Sequence, residues 1–501
     1  VSTITGSGVY NIVGDIRAAD GGILTLDLAE GSRFEGKAVL DSGNDSQSTL
    51  TMAKNSLWTL TGNSQLNSLQ NEQSVIDMTG DNKAFSTLSV ETLTGNGGTI
   101  IMDIDGSQVD ASDKIYVTGD FSGSHTLSLK EINGLDSDPG IGQAAENTVL
   151  ASVNGSGTFT ADDQEGTLYW QRYELGQKDS AASGYTTDWY LKGITNLNLP
   201  TTSVEAIAAS GALAYHTWRD HDQLLQRLGD LRQHGREEEG VWVRVKGGKL
   251  SRSDQFEFEN KYTQYELGYD QKLKSTPAYT RYAGISFSYF DGDSSYSSGS
   301  GENKVKALNI YGTQIGAKGH YLDLVLKYSQ LDNDFKVFDT SGNKITGDYD
   351  QNGLSISAEY GRKNNLKNNW YIEPQAQLTF GRLRGTDYTT SNGIRVDQDG
   401  IDSFVGRIGF NICKDINEKT NIYLKANLMH EFGGGYNASM VDAGGTKARL
   451  DRDFDDTWFE YGLGAAVQTG KNNYFYVDVE RSAGSDYKKD WQWNVGARWS
   501  F

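Results

Sequence analysis

One cysteine, four prolines and no long apolar run in 501 residues exclude several classes of protein before any motif is considered. Cys413, standing alone, cannot close an internal disulfide or build a multi-cysteine metal site. No stretch of ~18 consecutive apolar residues occurs, which excludes a transmembrane helix. The mean hydropathy of -0.56 does not exclude a membrane barrel, because strands that alternate polar and apolar residues average to polar. Residues 1–200 hold 26 acidic and only 10 basic side chains, against 40 and 36 in the remainder. So acidic a first half disfavours nucleic acid, whose phosphates need a basic surface, and fits an exposed, soluble domain. No Gly-x-x-x-x-Gly-Lys-Ser/Thr loop is present, Gly31–Lys37 being followed by Ala38, and no Gly-x-Ser-x-Gly elbow. There is no initiator methionine and no signal-peptide pattern at Val1, so the chain reads as a mature form or a fragment. What is abundant is glycine (59), tyrosine (27) and tryptophan (10), the composition of a turn-rich β protein with aromatic belts.

The most informative stretch is Trp491-Gln-Trp-Asn-Val-Gly-Ala-Arg-Trp-Ser-Phe501. In an extended chain Trp491, Trp493, Val495, Ala497, Trp499 and Phe501 share one face, and Gln492, Asn494, Gly496, Arg498 and Ser500 the other. An apolar, tryptophan-rich face opposite a polar one is what a lipid-facing barrel strand requires, although a soluble edge strand can carry the same pattern. Beyond Gly240 twelve strand candidates centre near Val243, Tyr265, Ile285, Ile310, Leu324, Ile356, Gln375, Ile408, Lys425, Tyr461, Val477 and Val495. Several alternate clearly, and the one at Ile310 shows no clean face. Short links such as Ser275–Ala278, Gly316–Gly319 and Lys363–Lys367 alternate with long polar ones at Asp291–Glu302, Asn333–Tyr349, Thr386–Gly400 and Gly433–Asp453. Such alternation around an even strand number is how outer-membrane barrels are built.

Upstream, residues 1–95 contain short apolar alternations such as Ile23–Leu28, Thr49–Met52 and Leu57–Leu60 between glycine, asparagine and serine clusters. They suit rungs of a β-solenoid, with a β-sandwich as the competing account. Residues 96–199 continue with denser strands, where a cap over the last rung is expected. After Pro200, Thr202-Ser-Val-Glu205 reads as a capping box opening a helix to about Gln233. Its first half is thin, with Ala206, Ala208, Ala209, Ser210, Gly211, Ala212 and Ala214. At ~1.5 Å per residue, roughly 30 residues span about 45 Å, enough to thread a polar pore across a bilayer.

Solenoid, cap, helix and twelve strands in that order resemble a monomeric autotransporter (type V secretion) of the pertactin and AIDA type, over essentially the whole chain. The matching motifs are Gln226-Arg-Leu-Gly-Asp-Leu-Arg232, Glu373-Pro-Gln-Ala-Gln377, Trp499-Ser-Phe501, and Asp113–Gly119 with Ser122–Leu127. The resemblance implies an all-β fold: a right-handed β-solenoid passenger end (1–95), a junction or autochaperone cap (96–199), an α-helical linker in the pore (200–235) and a translocator barrel (236–501). It implies that barrel and linker carry the protein's own passenger to the cell surface, the passenger being adhesin-like and not an enzyme. Partners implied are outer-membrane lipid, the barrel-assembly machinery, periplasmic chaperones and a host or cell-surface ligand, with no cofactor and a monomeric state. Phe501, with Trp499, is implied to be the assembly signal, and Asp113, Ile115, Val117 and Gly119 to belong to the autochaperone. Other readings are the carrier of a secreted enzyme lying upstream, and a plugged porin.

Alternation places Arg244, Lys246, Glu266, Asp323, Lys327, Glu359, Glu373, Arg407, Lys425, Glu460, Asp478, Glu480 and Arg498 on the lumen wall. The expectation is that they hold the linker helix as a plug, through Arg219, Arg227 and Asp230 beside Ala208, Gly211, Ala212, Leu228, Gly229 and Leu231. The bland account is a wetted pore wall. Some members of the wider family cut the linker by asparagine cyclisation; Ser203–Gln233 contains no asparagine, which disfavours that chemistry. His125 is the only histidine before residue 200, and Asp41-Ser-Gly-Asn44 only faintly resembles a nucleophile loop, so a complete Ser-His-Asp set is not expected. Asp451, Asp453, Asp455 and Asp456 lack the glycine an EF-hand needs and read as a solvated loop. His216, His221 and His234 are too widely spaced for zinc.

Overall fold

The computed structural model describes every residue except 1, 5–7, 42–44, 81–83, 134–146, 221–222, 225–238 and 471. The chain falls into two compact units, Val1–Thr201 with Asp442–Thr446, and Thr202–Val441 with Lys447–Phe501.

In the first unit, short strands pair in parallel with the strand one coil later. One ladder runs through Ile23–Leu28, Gln47–Met52, Ser64–Asn71, Thr87–Thr94, Lys114–Phe121 and Val149–Gly155. The other runs through Arg33–Glu35, Leu57–Thr59, Val75–Asp77, Asn96–Asp105, Ser124–Asn133 and Thr158–Ala161. Parallel pairing of successive coils is a solenoid; a sandwich would pair its neighbours antiparallel. Apolar residues stack in register inside it: Leu26, Leu50, Leu69, Leu93 and Phe121 on one wall, Phe34, Trp58, Ile76, Ile100 and Leu127 on the other. All ten are buried. The stacked residues lie between 18 and 28 positions apart in sequence, which is why no fixed period is visible there. The ladder passes through Gly95 and Asn96 without a break. Architecture changes later, where Val149–Gly155 pairs antiparallel with Thr187–Pro200, which in turn pairs with Tyr169–Asp179. This antiparallel meander gives the final coil an edge that further coils cannot extend.

The second unit is a closed antiparallel barrel. Its strands, numbered in chain order, are β1 Gly240–Arg252, β2 Phe258–Ser275, β3 Tyr279–Tyr296, β4 Gly299–Gly316, β5 His320–Phe338, β6 Lys344–Arg362, β7 Trp370–Leu383, β8 Ile401–Asn417, β9 Thr420–Glu431, β10 Thr457–Gln468, β11 Asn473–Ala483 and β12 Tyr487–Ser500. Each pairs with its neighbours, and β12 closes the ring on β1. The twelve strands sit where the sequence pattern puts them. β4 does have two faces: Val305, Ala307 and Tyr311 point in, Leu308 and Ile310 out, and the polar Asn303, Asn309 and Thr313 mixed into the inner face hide the alternation. Side chains such as Leu324, Ile356, Ile408 and Leu424 are half exposed on the outer wall. An apolar outer band of this kind is stable only against lipid.

Glycine has a packing role here. A Cβ at Gly496 would lie 2.1 Å from Cζ of Tyr476, and one at Gly284 would lie 2.3 Å from Cζ of Tyr311. Inward aromatics on one strand therefore lie flat over glycines of the next.

Two expectations need correction. The long links are mostly strand: β3 and β4 remain paired out to Tyr296–Gly299, and β5 and β6 to Phe338–Lys344. The other two form a separate sheet of Thr386–Thr389, Arg395–Gln398, Gly435–Val441 and Lys447–Asp453. The helix α1 is Thr202–Arg219, 18 residues and about 27 Å, and does not run on unbroken toward Gln233, since Asp220 and Gln223 are not helical. It stops where Asp220 turns its carboxylate and carbonyl toward wall lysines. Arg227, Leu228, Gly229, Asp230 and Leu231 lie outside the described residues.

Candidate functional site

The site is the barrel lumen and the helix inside it. From Ser203 to Arg219, α1 is buried at every position but Glu205. Small residues let it approach the wall: a Cβ on Gly211 would sit 2.6 Å from Oη of Tyr436, and Ala208 and Ala212 belong to the same apolar cluster. Ser210 Oγ lies 2.8 Å from Tyr349 Oη, and Tyr349 stacks on Tyr388 at 4.6 Å. Trp218 occupies space left by Gly353 and Gly381 of the wall.

The helix end is held by charge. Arg219 lies 3.6 Å from Glu431, with its guanidinium 4.5 Å from the ring centroid of Trp458. Glu431 is fully buried and also accepts from Tyr215 Oη at 2.7 Å, Ser403 Oγ at 2.6 Å and the Phe404 and Gly433 N–H groups at 2.7 and 3.0 Å. A buried carboxylate with this many donors keeps its charge and gives the arginine a fixed partner. His216 stacks on Tyr487 at 4.1 Å and takes a hydrogen bond at its Nε2 from Arg252. Asp220 pairs with Lys246 at 2.5 Å and Lys489 at 3.7 Å, on the two strands that close the barrel, and its carbonyl accepts from Lys327 Nζ. Farther on, the Leu224 N–H donates to Glu359.

Of the expected wall set, Arg244, Lys246, Glu266, Asp323, Glu359, Glu373, Arg407, Lys425, Glu460, Asp478, Glu480 and Arg498 are buried and Lys327 half-buried. They pair mainly with one another: Arg244 with Glu266, Arg407 with Glu359, Lys425 with Asp478 and Glu480, Lys489 with Glu480 and Glu460. Arg498 on β12 reaches Asp270 on β2 at 2.5 Å, bridging across β1, where Gly240 leaves room. Of the three helix charges expected to meet the wall, the described one, Arg219, does so through Glu431. Glu431, Asp220, Asp270, Lys489, Tyr215 and Tyr436 are missing from the expected set. Glu431 follows by alternation from Lys425 and Asn427, so its signal was present; Tyr436 sits on a hairpin for which the strand pattern gave none.

Trp499 and Phe501 are exposed beside β1, with Trp499 opposite Val241 and the Phe501 N–H bonded to the Glu239 carbonyl. In the first unit Ile115 and Val117 are fully buried between coils, and Gly119 is exposed where a Cβ would meet the Glu91 carbonyl at 2.7 Å. Asp113 joins two coils by accepting from the Ser86 and Asp103 N–H groups at 2.6 and 2.7 Å; burial pushes its carboxyl up to about 7 against the pull of those donors. His125 lies in the core, its ring 5.9 Å from Phe121 and 6.2 Å from Phe159, with neither nitrogen hydrogen-bonded. Burial lowers it to about 4. It faces no solvent and offers no catalytic base. Residues 42–44, 221 and 234 lie outside the described residues, and among the described residues no three His, Cys, Asp or Glu side chains cluster as metal ligands, Asp451–Asp456 included.

The family model for the autotransporter beta-domain matches residues 241–480, and that for pertactin matches residues 66–193. The chain is 28% identical over 543 residues to "Probable autotransporter YcgV" of Escherichia coli, covering 100% of this chain and 55% of that protein. It is 28% identical over 544 residues to "Pertactin autotransporter" of Bordetella bronchiseptica, covering 97% and 56%. It is 26% identical over 469 residues to "Serine protease pet autotransporter" of Escherichia coli, covering 91% and 34%. The chain thus spans about half the length of the first two relatives and a third of the last.

Proposed function

Because the chain belongs to the autotransporter family, with a barrel that resides in the outer membrane, we propose that its barrel and helix deliver and then anchor the protein's own passenger at the cell surface. The observation that carries this reading is α1: a helix of small residues enclosed by a closed barrel, its last turn ion-paired to the wall. A closed lumen filled by the chain that precedes it is the end state of a chain drawn through that lumen. The plugged-porin reading loses its basis with the family assignment.

The passenger is adhesin-like in this proposal. A solenoid presents long, regular faces suited to surface recognition, and its one histidine in the first 200 residues is enclosed by phenylalanine rings. The serine-protease relative favours a second reading in which a catalytic domain lies upstream, and sequencing the gene upstream of Val1 separates the two. Residues 96–199, with Asp113, Ile115, Val117 and Gly119, act as the folding nucleus of the passenger, and Trp499 and Phe501 as the strand read by the assembly machinery, aided by periplasmic chaperones.

Passenger folding outside is the drive in this reading: each coil added buries apolar surface and makes return through the pore unfavourable. The test is Ile115→Asp with Val117→Asp, scored on whole cells by antibody and protease. The expected outcome is passenger exposed at the surface and readily digested; unchanged protease resistance rejects the folding role, and an absence of surface passenger with a normal barrel rejects separate steps of transport and folding.

A further inference from the structure

At the long-hairpin end of the barrel several cations are ion-paired: Lys249 with Glu259, Lys304 with Glu302, Lys306 with Asp332, Arg382 with Asp402. At the short-turn end Lys274, Arg281, Lys318, Arg362 and Lys367 are exposed, and among the described residues none of them reaches a carboxylate. Asp415 and Glu418 are the carboxylates of the described short turns, and Asp415 is engaged by Lys363 at 4.0 Å.

The sharpest case is Lys274 and Arg281. They stand directly opposite each other on β2 and β3, where like charges repel unless an anion lies between them. Arg281 is held ready: its Nε donates to Gln314 Oε1 at 2.8 Å and its guanidinium lies 4.7 Å from the Tyr279 ring centroid. A further cation–aromatic pair, Lys414 over the exposed Trp370 ring at 5.1 Å, marks the same rim. Aromatic rings at this level sit at the headgroup boundary of a bilayer, so the cations beside them face lipid phosphates.

We propose that the short-turn rim is a binding surface for anionic phospholipid headgroups, with the Lys274–Arg281 pair as a phosphate seat. The proposal rests on the outer-membrane reading of the barrel. Arginine supplies a planar fork to two phosphate oxygens and lysine a point charge to a third. The bound phosphate relieves the cross-strand repulsion and fixes the barrel's depth in the membrane.

The full chain, folded in mild detergent with equal amounts of phosphatidylglycerol and phosphatidylcholine, is examined by native mass spectrometry for retained lipid. The same sample is run unheated on a gel for the compact band of a folded barrel. Phosphatidylglycerol is expected in roughly ten-fold excess, and Lys274→Gln with Arg281→Gln is expected to cut that excess about five-fold or more. Lys304→Gln with Lys306→Gln, at the opposite rim, leaves it unchanged. Equal retention of the two lipids, equal loss in both double variants, or displacement of the lipid by millimolar inorganic phosphate overturns the proposal. Loss of the compact band in the unsubstituted chain overturns the barrel reading instead, and the gel separates that failure from the others.

Discussion

In the coil stack Leu26, Leu50 and Leu69 point inward and Thr25, Asp27 and Thr49 outward; in the barrel Leu322, Leu324 and Leu326 point outward while Arg244, Glu359 and Lys425 point inward. Both regions are built from strands with period-two side chains, yet the apolar face ends up on opposite sides. The difference follows from the surroundings. The solenoid stands in water and must hide its leucines; the barrel stands in lipid and must hide its charges, which it does by pairing them across the lumen. One region's core is apolar, and the other's is a network of ions around a helix.

The comparison is broken most severely by placing the same lysine in both regions. Leu50→Lys puts an unpaired cation into a fully buried stack and is expected to cost more than about 5 kcal/mol, unfolding the coils as read by protease sensitivity of the passenger. Leu324→Lys faces the membrane and is expected to cost about 2–4 kcal/mol, read by urea unfolding in vesicles. Equal costs would mean that the outer wall does not meet lipid.

A second change tests the ionic core. Arg219→Met leaves Glu431 buried beside the helix without its cation, at an expected cost of about 3–5 kcal/mol to the helix's seating. Planar-bilayer conductance should rise as α1 loosens; unchanged conductance would show that the apolar contacts of Gly211, Tyr215 and Trp218 hold it alone.

The smallest effect sharpens the apolar core instead. His125 titrates ordinarily at 6.5 and at about 4 when buried, so its contribution is intact above 6.5 and is lost as pH falls toward 4; Glu72 is the charge that opposes this. Asp113, raised from 3.8 to about 7, works the other way: its contribution is intact below about 4 and is lost as pH rises to 7. Between 4 and 6.5 the two largely cancel. His125→Phe should therefore leave a stack that weakens as pH rises, and Asp113→Asn one that weakens as pH falls, each by roughly 3 kcal/mol. Hydrogen exchange of the Lys114–Phe121 amides between pH 4 and 7 reads both slopes, and parallel slopes in the two variants would reject the assignment.

Much of this was legible in the residues. Alternation along single strands is a local property, so the twelve barrel strands, their inner charges and their outer leucines could be read without knowing what pairs with what. Pro200 and the run Ala206–Ala214 marked the start and the thinness of the helix for the same reason. What could not be read depends on contacts between distant segments. The end of α1 at Arg219 is set by Lys246, Lys327 and Lys489, which lie 26 or more positions away. The conversion of long polar links into hairpins and a separate four-stranded sheet depends on strands finding each other, as Arg395–Gln398 finds Gly435–Val441. Side-chain period, caps and composition are fixed by neighbours along the chain and so belong to the sequence. Partner choice among buried ions, and the face a strand turns to its solvent, are decided only when the chain closes on itself, because burial is a property of the whole fold.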